Sequence, residues 1–240
     1  GISMGKLKVG LDLVRDTQRL GIMQEALKQS GKPPILCIDS NEYWSPKQSI
    51  QYINAFEKQY DLFWCEEPAR RWDYQGLHKV SQSINAAVAT GENLAAVNDF
   101  MPLIANDAVD IVQVGRNTSG ITGAMQVAHL AYAFELPVAM MNCPGHFMAH
   151  LAAALPNHLA IEVVFATPDP ENIVASDTTI EDGYIILGNA PGHGLSIDED
   201  ELEKHAVEKP HAHRRSADRH RRGAGLYHVP PDQPYDLDEE

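Results

Sequence analysis

Ile35-Leu36-Cys37-Ile38-Asp39, Leu62-Phe63-Trp64-Cys65-Glu66 and Ala87-Val88-Ala89-Thr90-Gly91-Glu92 are three short, mainly apolar runs that each end in a carboxylate. The acids fall 27 and 26 residues apart, an interval that holds one β-strand, one helix and two loops. A repeating βα unit builds a parallel sheet with every strand C-terminus on the same side. Asp39, Glu66 and Glu92 are therefore expected to converge. Three carboxylates brought together without a partner repel one another and resist desolvation. A divalent cation resolves that conflict. Ligands that are all oxygen favour a hard ion such as Mg²⁺, which accepts a few carboxylates and keeps sites for water or substrate.

Outward from these runs the same rhythm continues. Lys6-Leu7-Lys8-Val9-Gly10 reads as a strand with Lys6 and Lys8 on one face. Val14, Leu20, Ile22, Met23, Ala26 and Leu27 give the apolar stripe of a helix that stops near Gly31, ahead of Pro33-Pro34. Ser45-Pro46 opens a helix whose buried face is Ile50, Ile53 and Phe56. Further helices are expected over 74–84, 97–105, 121–134 and 146–155, with strands over 109–114, 137–141 and 159–164.

This gives seven strands, each but the last followed by a helix. The expected fold class is α/β, a TIM-type (β/α)7β barrel without a counterpart of its first strand. An open doubly wound sheet is the alternative. The barrel is preferred because polar chemistry gathers at the strand ends, as on the C-terminal face of a β/α barrel. Past Val164 the periodicity weakens, and Ile185-Ile186-Leu187 with Gly192-His193-Gly194-Leu195 suggests a closing hairpin or loop. Residues 1–204 form the expected barrel domain. Residues 205–240 form a tail in which His205, His211, His213, His220 and His228 lie among Arg214, Arg215, Arg219, Arg221 and Arg222, before the acidic Asp236, Asp238, Glu239 and Glu240. The tail reads as an extended segment without a catalytic role.

The 240 residues suffice for one sizeable core, and 44% of them are hydrophobic. No apolar run approaches the roughly 20 residues of a membrane-spanning helix, so no membrane partner is expected. Gly1-Ile2-Ser3-Met4 lacks the pattern of a secretory signal. Two of the three cysteines, Cys37 and Cys65, fall in expected buried strands, which fits a reducing, cytoplasmic setting. A net charge of −14 argues against nucleic-acid binding. It suits an enzyme that handles small anions where a metal or lysine locally reverses the field.

With these residues in view, the chain resembles the enolase superfamily, in its mandelate racemase and muconate lactonizing enzyme group. The resemblance runs from Lys6 to about Asp200. It is carried by Lys6-Leu7-Lys8, Asp39-Ser40-Asn41, Glu66-Glu67-Pro68, Gly91-Glu92-Asn93, Ser119-Gly120-Ile121-Thr122-Gly123, His150-Leu151-Ala152-Ala153-Ala154 and Pro191-Gly192-His193-Gly194-Leu195. It implies that Asp39, Glu66 and Glu92 hold Mg²⁺ and that the ion chelates the carboxylate of an α-hydroxy acid. Lys8 is then the base that removes the α-proton. Lys6 assists carboxylate binding while its charge depresses the pKa of Lys8. Glu162 takes the place of a carboxyl group hydrogen-bonded to the enediolate, and Asn41 and Asn142 are implied as substrate contacts. The physical need is plain: removing a proton beside a carboxylate adds a second negative charge, which only preorganised positive groups and donors can stabilise.

Two departures from the family pattern shape the functional expectation. Many relatives end the sixth and seventh strands in an Asp and a His that form a second acid/base. The matching positions here are Val114 and Asn142, with one residue of register latitude around Gly115-Arg116-Asn117. Arg116, Cys143 and His146 are expected near the same rim. His146 is a candidate acid or else the start of a helix, and Lys8 can itself return the proton to a leaving hydroxyl on the same face. The N-terminal capping domain of the family and its first barrel strand have no counterpart ahead of Lys6. The leading expectation is a Mg²⁺-dependent lyase that dehydrates an acid sugar to a 2-keto-3-deoxy acid. The alternatives are a racemase, epimerase or cycloisomerase using Lys8 as sole base, and a metal-binding but inactive barrel subunit or fragment. A small carboxylate substrate and a homo-oligomer are expected.

Overall fold

The structure, a computed structural model, describes residues 1–115, 118, 120–141, 147–163 and 173–204. Seven strands alternate with six helices in chain order. They are β1 (Met4–Lys8), α1 (Leu13–Lys28), β2 (Ile35–Asp39), α2 (Pro46–Glu57), β3 (Leu62–Glu66), α3 (Tyr74–Ser81) and β4 (Ala87–Thr90). After these come α4 (Val97–Ala105), β5 (Ile111–Gly115), α5 (Gly120–Ala133), β6 (Val138–Met141), α6 (Phe147–Ala154) and β7 (His158–Ile161). All seven strands pair in parallel as one sheet, in sequence order from β1 to β7.

The strands bury both faces. Ile38, Cys65, Val88, Val112, Val114, Val138 and Met140 pack with the helices in the larger core. Cys37, Trp64, Ala89, Ile111, Ala139 and Met141 form a second cluster, closed by Met4 and Ala160 from the two edge strands. One inner cluster fed by all seven strands requires a curled sheet. At roughly 4.8 Å per strand, a flat sheet would hold its edges nearly 30 Å apart. Instead Lys6 Nζ of β1 reaches Glu162 Oε1, just beyond β7, at 2.9 Å. All seven strand C-termini therefore surround one mouth.

Local chemistry sets the helix starts. Asp12, Ser45 and Asp73 each cap a helix by accepting a backbone N–H, from Arg15, Gln48 and Gly76, and Pro46 occupies the first turn of α2. Ile53 and Phe56 of α2 are fully buried, as expected. The face of α1 differs from expectation. Val14 and Ile22 are 68% and 70% exposed, and Ala26 is exposed too. The inward positions are Leu13, Asp16, Leu20, Met23 and Leu27, spaced three and four residues apart. A buried aspartate interrupts that stripe and hides it from an apolar count. Asp16 accepts from Gly10 N at 2.8 Å and from Arg19 Nη1 at 2.8 Å, and the same guanidinium nitrogen donates to Lys8 O at 2.8 Å. The buried acid thus fixes the turn that follows the Lys6–Lys8 strand.

Beyond β7 the closing segment is a nested pair of hairpins: β8 (Val174–Ser176) pairs antiparallel with β11 (Leu195–Ile197), around β9 (Thr179–Glu181) and β10 (Tyr184–Ile186). Asp182 at the inner turn pairs with the Gly1 amine and with Lys32 at 2.9 Å. A last helix, α7, spans Glu199–Lys204. Val164 and the tail 205–240 lie outside the described residues.

Candidate functional site

Strand periodicity delivers the acids. Cys37 and Trp64 face the inner cluster, so Asp39 and Glu66, two residues on, face the mouth. Glu92 comes from the turn after β4. Gly91 has φ +132, and a side-chain carbon there would lie 2.4 Å from Gln113 O, so the approach of this turn to β5 requires glycine. Asp39, Glu66 and Glu92 each place a carboxylate oxygen within 4.8 Å of the others. They are 1%, 0% and 9% exposed. Convergence of these three, expected from the spacing of the runs, is what the structure shows.

Lys6 and Lys8 lean onto the triad. Lys6 Nζ lies 3.1 Å from Asp39 Oδ2, 2.5 Å from Glu66 Oε1 and 2.9 Å from Glu162 Oε1, and Lys8 Nζ pairs with Asp39 Oδ2. Burial opposes the charge of Lys6, but Asp39, Glu66 and Glu162 outweigh it and hold its pKa well above the ordinary lysine value. For Asp39 burial also works against ionisation, yet the two ammonium groups keep its pKa below the usual value. Burial, with Asp39 close by, raises the pKa of both Glu66 and Glu92.

Lys6 does act to lower the pKa of Lys8, as expected, but it does not set the net direction. Burial and Lys6 both lower it, but direct contact with the Asp39 carboxylate raises it overall. In this arrangement the ammonium groups supply the positive charge that the triad demands. One ligand position is nevertheless unmet: Glu66 Oε2 is buried and has no hydrogen-bond partner. An unpartnered, desolvated carboxylate oxygen within an all-oxygen triad is what a hard divalent cation would satisfy.

Asn41 also lies at the mouth, with Nδ2 3.4 Å from Glu67 Oε2 and 3.5 Å from Glu92 Oε1. Asn142, Cys143, His146 and Arg116 lie outside the described residues. Among the described residues of β5, glycine rather than valine takes the position toward the mouth. Val114 packs in the outer core, while Gly115, two residues beyond inward-facing Gln113, is the position toward the mouth. A side-chain carbon at Gly115 would lie 2.6 Å from Met141 O. Glycine supplies no acid or base at that position, and a side chain there would force the Met141 backbone to shift.

Sequence reasoning gave no role to a layer of groups behind the triad. Glu42, Glu67, Arg71 and Asn93 are buried or half-buried. Arg71 forms a forked pair with Glu42, Nε to Oε1 at 2.6 Å and Nη2 to Oε2 at 2.8 Å. Asn93 Nδ2 donates to Glu67 Oε1 at 2.6 Å. The available signal was adjacency: Glu67 and Asn93 follow Glu66 and Glu92 directly. Glu67, however, has φ +43, a turn of backbone that no spacing rule anticipates in a glutamate.

Comparison with known proteins places this geometry. The family described as enolase C-terminal domain-like matches residues 1–201. A D-galactonate dehydratase family member of Oceanicola granulosus is 29% identical over 183 residues, 73% of this chain and 44% of that protein. A D-xylonate dehydratase of Haloferax volcanii is 32% identical over 155 residues, covering 62% and 38% respectively. The chain thus spans less than half the length of these two relatives. A racemase from Streptomyces coelicolor A3(2), solved with bound magnesium, superposes with a TM-score of 0.77 at 27% identity, covering 86% of this chain and 56% of that one. The chain belongs to the enolase C-terminal domain-like family, in the mandelate racemase and muconate lactonizing enzyme branch of the enolase superfamily.

Proposed function

We propose that the chain is the barrel portion of a Mg²⁺-dependent enzyme that removes the proton α to a carboxylate, acting as an acid-sugar dehydratase. The observation that carries this reading is the triad of Asp39, Glu66 and Glu92 within 4.8 Å, with the Lys6 and Lys8 amines resting on it. The dehydratases among its relatives point to an acid sugar. The curled sheet supplies seven strands of a TIM-type barrel within residues 1–204.

Asp39, Glu66 and Glu92 would hold the ion. When bound, Mg²⁺ supplies Lewis acidity at the substrate carboxylate and offsets the Asp39 charge that otherwise keeps Lys8 protonated. Lys8, more than half exposed at the mouth, reaches a bound acid and takes its α-proton. The electron pair left on the α-carbon moves into the bond to the carboxyl carbon, giving an enediolate. Lys6 lies where it can donate to its oxygens, and Glu162, paired with Lys6 at 2.9 Å, holds that ammonium in place. Collapse of the enediolate expels the β-hydroxyl, which takes the proton from the Lys8 ammonium and leaves as water. The enol product then tautomerises to the 2-keto-3-deoxy acid. Asn41 contacts substrate from the β2 side, Asn142 serves as a further substrate contact, and His146 as an alternative acid to Lys8.

Glycine at the mouth-facing position of β5 favours one base over two opposed bases. The second reading, an isomerase using Lys8 alone, draws on the same feature and on the racemase neighbour. A panel of acid sugars incubated with the protein and Mg²⁺ in D₂O separates them. Dehydration yields a 2-keto acid, whereas isomerisation yields α-deuterium without loss of water. Both signals vanish in Lys8→Ala if the reading holds. Bound Mg²⁺ with neither signal for any acid would overturn the catalytic reading and leave a metal-binding subunit.

A further inference from the structure

We propose that the Arg71–Glu42 ion pair is a positioning clamp that fixes the Asp39–Glu66–Glu92 triad in its metal-ready shape and thereby sets its affinity for the divalent ion. The inference rests on the metal-site reading above and extends it to residues that touch neither ion nor substrate.

The clamp joins three loops. Glu42 lies three residues beyond Asp39, Arg71 five beyond Glu66, and Asn93 directly after Glu92. Arg71 grips Glu42 through both side-chain bonds of its fork and through its own backbone N–H, which donates to Glu42 Oε1 at 3.0 Å. Its remaining terminal nitrogen, Nη1, donates to Asn93 O at 2.9 Å. One guanidinium therefore ties the loop after β3 to those after β2 and β4.

A second set of bonds runs from this frame to the ligands. Asn93 Nδ2 and Asn41 Nδ2 donate to the two oxygens of Glu67, at 2.6 and 3.4 Å. The same amides lie 3.4 and 3.5 Å from Glu92 Oε1. Glu42 N donates to Glu67 O at 2.9 Å, Ser40 Oγ donates to that same carbonyl at 2.9 Å, and Arg70 donates to Glu42 O.

Backbone strain makes the frame matter. Asn41, Glu42 and Glu67 have φ of 44°, 59° and 43°. Left-handed backbone at such residues persists only where surrounding bonds over-determine it. Without the clamp the three loops can relax toward ordinary backbone, and like-charged ligands drift apart. Glu42 is 1% and Arg71 14% exposed at the side chain, so solvent does little to weaken the pair. Lysine cannot replace the fork, because an ammonium is a point donor and cannot engage both carboxylate oxygens in the same plane while holding Asn93 O.

Calorimetric titration of Mg²⁺ into the wild type, Arg71→Lys, Arg71→Met and Asn93→Ala tests the clamp, with Tm measured with and without Mg²⁺. The expected result is a Mg²⁺ Kd weakened about 10–100-fold in both Arg71 variants. The rise in Tm on adding Mg²⁺ should shrink accordingly. A merely structural role lowers Tm equally with and without Mg²⁺ and leaves Kd unchanged, and that pattern overturns the proposal. If Arg71→Met does not fold, Arg71→Lys and Asn93→Ala decide the matter. A wild type that binds no Mg²⁺ removes the metal-site reading and the clamp together, which is distinguishable from unchanged affinity in the variants.

Discussion

Replacing Lys6 with methionine tests whether its ammonium is the charge that holds the triad together in the presence of a chelator. The side chain is 14% exposed and touches Asp39, Glu66 and Glu162. Methionine keeps most of the volume and deletes only the charge and its donors. Removing one partner from a buried ionic cluster typically costs about 3–5 kcal/mol, because the remaining charges stay desolvated without compensation. For a chain of this size, about 1 kcal/mol corresponds to 2–4 °C, so Tm in chelator should fall by roughly 6–20 °C. Saturating Mg²⁺ gives the carboxylates another counter-charge and should recover most of that loss. Differential scanning fluorimetry of wild type and Lys6→Met, in EDTA and in Mg²⁺ at pH 8, reads both numbers. A Tm loss below about 2 °C in EDTA refutes the reasoning, since Lys6 would then contribute no more than an exposed surface pair.

The pH dependence of the ion-free chain follows from the raised pKa values of Glu66, Glu67 and Glu92. The folded state keeps protons that the unfolded chain releases above the ordinary value of 4.5. Their contribution to stability is therefore present below pH 4.5 and lost as pH rises through the folded values. Urea unfolding in EDTA should show this decline above pH 5, and Mg²⁺ should reverse it, because only deprotonated carboxylates bind the ion. Lys8→Met should retain Mg²⁺ binding by calorimetry while losing α-proton exchange by about 10²–10⁴-fold in NMR. Burial pushes the Cys37 thiol up to about 12 and the Cys65 thiol well above its ordinary value, so iodoacetamide at pH 8 should label neither until denaturant is added, as read by peptide mass spectrometry. Gly91→Ala should cost about 2–5 kcal/mol in urea unfolding, from its disfavoured φ and the clash with Gln113 O.

The parallel order was legible because each strand is a short apolar run closed by a polar residue, and because α2 carries its start signal in Ser45-Pro46. Helix α4 matches its expected span, Val97–Ala105. Other boundaries move by one to three residues. The strand expected over 109–114 begins at Ile111, and the helix expected over 74–84 ends at Ser81. Apolar residues flank these elements too, packing as part of loops. The stripe of α1 was misread because hydropathy cannot distinguish an aspartate serving as a buried acceptor from one facing water. Asp39, Glu66 and Glu92 were legible because the strand period alone aims two of them. The layer behind them was not, because it depends on left-handed backbone at Asn41, Glu42 and Glu67, which is imposed by tertiary bonds.

The charge balance explains why such a layer is needed. Asp39, Glu42, Glu66, Glu67, Glu92 and Glu162 are gathered around Lys6, Lys8 and Arg71, an excess of carboxylates over cations. A cluster of that sign is unstable as a set of free side chains and would spread if nothing but mutual contact held it. Each cation answers a different part of the problem. Lys6 and Lys8 neutralise the triad directly, and under the proposed function they give up part of that contact when a divalent ion and a substrate carboxylate arrive. Arg71 is bonded to Glu42 and to the Asn93 backbone, with no bond to the ligand oxygens. It can keep its contacts whether the triad is loaded or empty. A site whose ligands must trade one counter-charge for another needs at least one cation outside the exchange, and in this chain Arg71 occupies that position.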